Sequence, residues 1–213
     1  MIEWLKKVRR MLKVRTIKIG ASKRRKKLKN TNFTLISNNC WGGLCYEYLD
    51  IPFYSPTIGL YFYADDYIRF VSDLKNYIML PLTFINVNES KHYESLIFKG
   101  ENNVIIGILG DVEIIFLHYK SKEEALEKWN KRVKRINFEN LIIKFNDQNE
   151  CKYNDLKKFD ELEVKNKIMF TSKDYKEFKC NIFMKEYHSK TCVKDDAFKF
   201  KKYINMVEYI NSI

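Results

Sequence analysis

Cys40 and His118 are the two residues of this chain best suited to carry covalent chemistry together. A thiol is a strong nucleophile once deprotonated, and an imidazole within hydrogen-bond reach takes that proton and later returns it to a leaving group. Cys40 stands in the run Ser37-Asn38-Asn39-Cys40-Trp41-Gly42-Gly43. Small polar residues and glycines let a backbone approach a ligand closely. Gly42 and Gly43, if a helix opens there, would also offer N–H groups to an oxyanion. The run is therefore read as ligand-contacting, with Ser37, Asn38, Asn39, Trp41, Gly42 and Gly43 around the thiol. The competing reading is a core cysteine packed beside Trp41, because cysteine is among the residues most often buried. For His118 it is a strand-end imidazole bonded to the backbone.

These residues need elements that bring them together. Phe33-Thr34-Leu35-Ile36 reads as a buried strand before the run, and residues 44–49 as the start of a helix after it. Residues 56–62 read as a strand after a proline-marked loop. Asp65 is placed to cap a helix over 66–79, whose buried face would be Tyr67, Phe70, Val71, Leu74 and Ile78. Residues 103–109 and 112–118 flank Gly110-Asp111, the signal of a hairpin with a type II′ turn. Ser121-Lys122-Glu123-Glu124 is a capping box, and Leu126, Trp129, Val133 and Ile136 give the following helix an apolar face. Strands follow at 141–145, 167–170 and, more weakly, 181–184. Phe200, Tyr203, Ile204, Val207 and Ile210 mark a final helix. This order predicts a layered α/β fold: a largely parallel sheet flanked by helices, with one antiparallel hairpin.

In such sheets ligands bind beyond the carboxyl ends of the strands. That rule adds Asp147, Ser172 and Lys173, each just past a predicted strand, as substrate contacts. It also gathers Asp65 and Asp66, which are read as acids of a helix N-terminus. Asp111 is excluded as a partner of His118, because seven strand residues separate them by about 23 Å. Asp111-Val112-Glu113 resembles the paired acids that hold a metal in some glycosyltransferases, although a turn already accounts for Asp111. The chain has no CxxC pair, so no zinc site is expected, no other metal is assigned, and no cofactor is identified. Lys128, Lys131, Arg132, Lys134 and Arg135 line one face of the helix after Ser121. They are either a solvated face or a means of steering an anionic substrate.

At 213 residues the chain can bury one sizeable core. Its five cysteines are odd in number and irregularly spaced, which suits a reducing compartment. No apolar run approaches the roughly 20 residues of a membrane helix, and charges interrupt every candidate signal region. A cytoplasmic location is expected. The net charge of +12 is unevenly placed. Residues 1–30 hold 13 Lys and Arg against one acid, Glu3, whereas residues 31–213 hold 26 of each sign. The chain is thus read as a basic N-terminal arm, residues 1–30, on a neutral single domain, residues 31–213.

Ile2, Leu5, Val8 and Leu12 would stripe one side of a helix, with Trp4 and Met11 nearby and lysines and arginines elsewhere. That pattern suits an anionic membrane surface, reinforced by Lys23-Arg24-Arg25-Lys26-Lys27 at about 1 kcal/mol per charge. A solvated extension is the plainer reading. Nucleic acid is disfavoured as a partner, because the arm has little aromatic interleaving and the body adds no basic track.

Ser37–Gly43, Ser55-Pro56-Thr57-Ile58-Gly59-Leu60, Gly110-Asp111-Val112-Glu113-Ile114 through His118-Tyr119, and Lys128-Trp129-Asn130-Lys131-Arg132 keep their order and spacing with one family. Over roughly residues 31–211 the chain resembles a bacterial family of domains of unknown function labelled exopolysaccharide biosynthesis protein. The resemblance implies a setting, cytoplasmic assembly of capsule or exopolysaccharide, and no mechanism. Asn39-Cys40 alone is also similar to a strand-end motif of capsule acetyltransferases that bind coenzyme A.

The expected function is a transferase of surface-polysaccharide assembly, peripheral at the inner face of the membrane. It would transfer an acyl group to a sugar or lipid-linked sugar, with Cys40 and His118 at its centre. Two alternatives stand beside it: a metal-dependent nucleotide-sugar glycosyltransferase, and a non-catalytic protein that binds a polysaccharide intermediate.

Overall fold

The structure, a computed structural model, describes residues 12–213. Along the chain its strands are β1 (Thr34–Ser37), β2 (Leu60–Tyr61), β3 (Thr83–Ile85), β4 (Ile105–Leu109), β5 (Val112–Phe116), β6 (Leu141–Asn146), β7 (Asn166–Thr171) and β8 (Asn181–Phe183). They form two sheets. One is wholly parallel, in the order β1-β6-β7-β8, and the other antiparallel, in the order β2-β5-β4-β3. The α/β class and the parallel sheet flanked by helices are as expected. The hairpin is also present, with Leu109 opposite Val112. Gly110 has φ 60° and Asp111 is not among the positive-φ residues, as a type II′ turn requires.

The hairpin does not extend the parallel sheet, and neither does the strand expected at 56–62. Only Leu60–Tyr61 pair there, and they pair with β5. The antiparallel unit is thus inserted between β1 and its parallel neighbour β6. A backbone hydrogen bond from Phe62 N to Asn38 O (3.0 Å) stitches the end of β2 to the end of β1.

Alternation along the parallel strands sorts two cores, as the two-residue strand period demands. Ile36, Ile143, Phe145 and Met169 face α4 (Ala64–Ser72), α7 (Lys122–Val133), α8 (Tyr153–Glu161) and the antiparallel sheet. Leu35, Ile142, Ile168 and Phe170 face α3 (Trp41–Leu49), α9 (Asp196–Lys199) and α10 (Met206–Asn211). A third cluster joins Tyr61, Tyr63, Ile106 and Ile115 to Leu96 of α6 (Tyr93–Phe98).

Three helices differ from expectation. The helix expected at 66–79 starts earlier, with Tyr63 as its cap. It breaks at Asp73 (φ −138°, ψ 46°) into α4 and α5 (Leu74–Met79). Asp73 takes an N–H bond from Asn76 Nδ2 (3.0 Å), so a local side-chain bond restarts the helix. On α7, Trp129 is buried and Val133, with Ile136 just past the helix end, packs on the core as expected, but Leu126 is exposed and its neighbour Ala125 is buried instead. The final helix splits into α9, a 3₁₀ turn at 200–202 and α10. Asn205 caps α10 by accepting from Val207 N (3.2 Å).

The basic N-terminal segment reaches the body before Thr31. Residues 12–18 are helical (α1) and are followed by α2 (Ala21–Arg25). Ile17 and Ala21 are buried. Arg24 donates to Tyr48 O (2.7 Å) and Ile17 O (2.8 Å), and its guanidinium lies 3.7 Å from the Tyr48 ring centre. Ile2, Leu5 and Val8 of the expected stripe lie outside the described residues; Leu12, its last member, is exposed.

Candidate functional site

The chain leaves β1 at Ser37 and enters α3 with Cys40 as its N-cap (φ −65°, ψ −1°). The turn closes on itself. Ser37 Oγ donates to Asn39 O (2.6 Å) and accepts from Gly42 N (3.1 Å), while Asn39 Oδ1 accepts from Trp41 N (3.0 Å). These bonds fix the thiol at the positive end of the helix dipole. His118 arrives from the other sheet. Leu117 N and His118 N both donate to Gly59 O (3.1 Å each) just past β5. Tyr119 OH donates to Ile58 O (2.5 Å) and accepts from Arg132 Nη1 (2.7 Å). Gly59 has φ +73°, and a Cβ there would sit 3.3 Å from His118 Cβ, so only glycine suits this approach. The outcome is Cys40 Sγ 3.7 Å from His118 Nε2. A thiol–imidazole contact at this range permits proton transfer on modest closure.

Beneath the thiol lies a buried charge. Lys144, in the middle of β6, is fully buried. Its ammonium pairs with Asp196 and donates to Asn38 Oδ1 (3.2 Å) and Asn39 Oδ1 (3.0 Å). Asp196 in turn accepts from Asn39 Nδ2 (3.1 Å), Asn146 Nδ2 (2.9 Å) and Ala197 N (2.8 Å). Burial pushes the Lys144 ammonium below the ordinary lysine range, and Asp196 opposes that shift. Three donors meet three oxygens, so the network positions the Asn38-Asn39-Cys40 segment rather than reaching for substrate.

Above it opens a cavity of about 540 Å³ between the ends of β1 and β6, the antiparallel sheet and α9. Asn39, Cys40, Tyr61, Lys99, Lys194 and Asp196 are among its lining residues. Its apolar walls come from Leu44, Leu117, Ala197 and Phe198. Lys13 reaches its rim, 3.8 Å from the Asp195 carboxylate and 5.2 Å from the Phe198 ring centre.

The structure brings together part of the expected set. Asn39 and Cys40 line the cleft, and His118 meets Cys40 at its sulfur without lining the cavity itself. Ser37 and Asn38 are buried beneath it in the hydrogen bonds that hold the turn. Trp41 is a core residue, edge-on to Phe170 (6.2 Å) and Phe200 (5.6 Å). Gly42 gives its N–H to Ser37 Oγ and so is not an oxyanion donor; a Cβ on it would lie 2.9 Å from that oxygen. Gly43 packs against Ile58, where a Cβ would lie 3.4 Å from Cγ2. Both glycines serve close packing of α3. Asp147 straps two loops, accepting from Ser172 N (2.7 Å), Ser172 Oγ (2.7 Å) and Val193 N (2.8 Å). Burial raises its carboxyl above the usual range while these bonds pull it down. Ser172 is buried in that strap and Lys173 is exposed away from the cavity lining.

The other carboxylates are engaged elsewhere. Asp111 accepts from Tyr77 OH (2.6 Å) and Arg69 (3.2 Å), whereas buried Glu113 accepts from Ser90 Oγ (2.5 Å) and Lys91 N (3.0 Å). Asp65, Asp66 and His92 bring ligand atoms within 4.8 Å of one another, but Arg69 and Lys91 already hold the two carboxylates. Sequence reasoning missed Lys144, Asp196, Lys99 and Lys194. For Lys144 a signal existed: a lysine between Ile143 and Phe145 in a two-face-buried strand must find a carboxylate.

The family described as "Domain of unknown function (DUF1919)" matches residues 11–213. An "Uncharacterized protein" of Haemophilus influenzae is 35% identical over 190 residues, covering 87% of this chain and 85% of the relative. "Protein PFC0760c" of Plasmodium falciparum is 32% identical over 156 residues, 70% of this chain but 4% of that much longer protein.

Proposed function

The chain belongs to the DUF1919 family, and from the geometry of its cleft we propose that it is a thiol-dependent acyltransferase of surface-polysaccharide assembly. The observation that carries this reading is the approach of Cys40 Sγ to His118 Nε2, 3.7 Å, at the N-terminus of α3 and on the wall of a cavity. His118 takes the thiol proton, and the sulfur attacks the carbonyl carbon of an acyl thioester. The donor's carbon–sulfur bond breaks, and its thiolate leaves with the proton from His118. A sugar hydroxyl then gives its proton to His118 and attacks the acyl-Cys40 carbonyl, the bond to Sγ breaks, and the thiolate recovers the proton. The acceptor is a sugar or lipid-linked sugar.

The glycosyltransferase alternative draws less support, because Asp111 and Glu113 are each held by other side chains. Among the described residues no helix is long and apolar enough to cross a membrane. We propose that its basic N-terminal residues, rich in Lys and Arg, hold it at the inner face of the membrane.

Mass spectrometry after incubation with short-chain acyl thioesters tests the reaction. An acyl mass is expected on the Cys40 peptide, absent in Cys40→Ala and slowed by roughly a hundredfold or more in His118→Gln, the worth of one general base. An adduct spread over other cysteines, or none, contradicts the reading.

A further inference from the structure

Two lysines of the cleft have no acidic partner among the described residues. Lys99 is held by neutral groups: its Nζ lies 4.2 Å from the centre of the Tyr63 ring, 5.1 Å from that of Tyr61 and 3.3 Å from Asn149 Oδ1. An ammonium placed by ring faces and an amide keeps its whole charge for a ligand. The platform is rigid, because Tyr63 is buried and His92 stacks on it at 3.7 Å, with His92 Nε2 2.6 Å from buried Asp66. Lys194 lines the same cavity and makes no ion pair among the described residues.

The acids nearby are already engaged. Asp195 faces Lys13 and Asp196 faces Lys144. Glu101 accepts from Tyr61 OH (2.6 Å) and is the one cleft acid without a cation at ion-pair distance among the described residues. The balance leaves positive charge in a concave site, which concentrates anions. Leu44, Leu117, Ala197 and Phe198 supply apolar surface beside it.

Resting on the acyltransferase reading, we propose that the cleft takes a phosphate-bearing ligand with an apolar portion. Lys99 and Lys194 hold the phosphate, the apolar portion lies along Leu44, Leu117 and Phe198, and the ligand's reactive end reaches Cys40. Two singly charged ammoniums match a phosphate better than a carboxylate, and lysine serves phosphate as a point charge. Such a ligand has two sources: a nucleotide thioester as acyl donor, or a lipid-phosphate sugar as acceptor.

Calorimetry on the full chain carrying Cys40→Ser, with coenzyme A, farnesyl diphosphate and inorganic phosphate as titrants, tests this. That chain performs no thiol chemistry, so the result is independent of whether acyl transfer occurs. Binding of coenzyme A points to the donor and binding of farnesyl diphosphate to the lipid-linked acceptor, and either supports the proposal if it depends on the lysines. Lys99→Ala and Lys194→Ala should each weaken it roughly tenfold, the scale of one charge-assisted bond. Both lysines are exposed, so thermal unfolding of these variants should match the parent. Equal affinity in the double variant, binding of inorganic phosphate alone, or no binding of either organic ligand at millimolar concentration overturns it.

Discussion

Lys144 sits where water does not reach, and its ammonium is tolerable only because Asp196, Asn38 and Asn39 surround it with oxygens. A buried pair of this kind adds little net stability, yet removing one partner strands the other charge at a cost of about 3–5 kcal/mol. Lys144→Ala should therefore lower the unfolding free energy by about that amount in urea titration. Lys144→Met with Asp196→Leu should be more stable than the sum of the single changes, because it strands no charge. The double variant should still lose Cys40 reactivity, since Asn39 then has neither charged partner. A second residue-scale test is Gly59. Its φ of +73° and the 3.3 Å approach to His118 Cβ make Gly59→Ala strained, by roughly 1–3 kcal/mol. Thermal unfolding should show the loss, and Cys40 alkylation should slow because His118 is pushed from the thiol.

The hairpin tip is clamped to the helices below it by Asp111, which accepts from Tyr77 OH and from Arg69. The hydrogen bond from Tyr77, and then Arg69, holds the Asp111 carboxyl below its ordinary value, and the same carboxylate pushes Tyr77 up to about 12. For Asp111, a depressed carboxyl contributes stability above its unfolded value and loses it as pH falls through its native one. For Tyr77, a raised phenol contributes below its unfolded value and loses it as pH rises toward about 12. Because Asp111 is exposed, Asp111→Asn should cost no more than about 1 kcal/mol at pH 7, and parent and variant should converge near pH 2. Denaturant titrations across pH read both. Elements with strong local signals were legible in the sequence: β1, the hairpin, and the start of α7 at Ser121. β2 was read as a longer strand, and three-residue β3 and α6 were not read at all, since short strands take their extent and partner from tertiary packing rather than pattern. The break at Asp73 was hidden for a related reason, because the apolar period of 67–78 runs on through it.

At the scale of the molecule, the site exists because two sheets meet. Cys40 belongs to the parallel sheet and His118 to the antiparallel one, and the Phe62–Asn38 backbone bond joins them. The pairing of thiol and imidazole was readable as a chemical match, but not the geometry behind it: His118 was expected on a shared parallel edge and comes instead from the inserted unit. The glycines and Trp41 looked like ligand contacts because close packing and close ligand approach demand the same residues. The charge asymmetry also belongs to this scale. Arg24 is locked on Tyr48, but Lys23, Arg25, Lys26 and Lys27 are exposed. Replacing those four by Gln should cut partition onto anionic liposomes by roughly a hundredfold or more, at about 1 kcal/mol per charge, and leave the fold intact. Equal flotation of both chains would remove the membrane from the account. The proposed chemistry depends above all on His118 activating Cys40. The most direct measurement of that activation is the rate of iodoacetamide alkylation at Cys40 against pH, read by peptide mass, in the parent and in His118→Gln. Cys40 should outpace Cys151, Cys180 and Cys192 at neutral pH, and His118→Gln should remove most of that advantage while sparing the other three. Alkylation of Cys40 at the same rate in both proteins would contradict that activation.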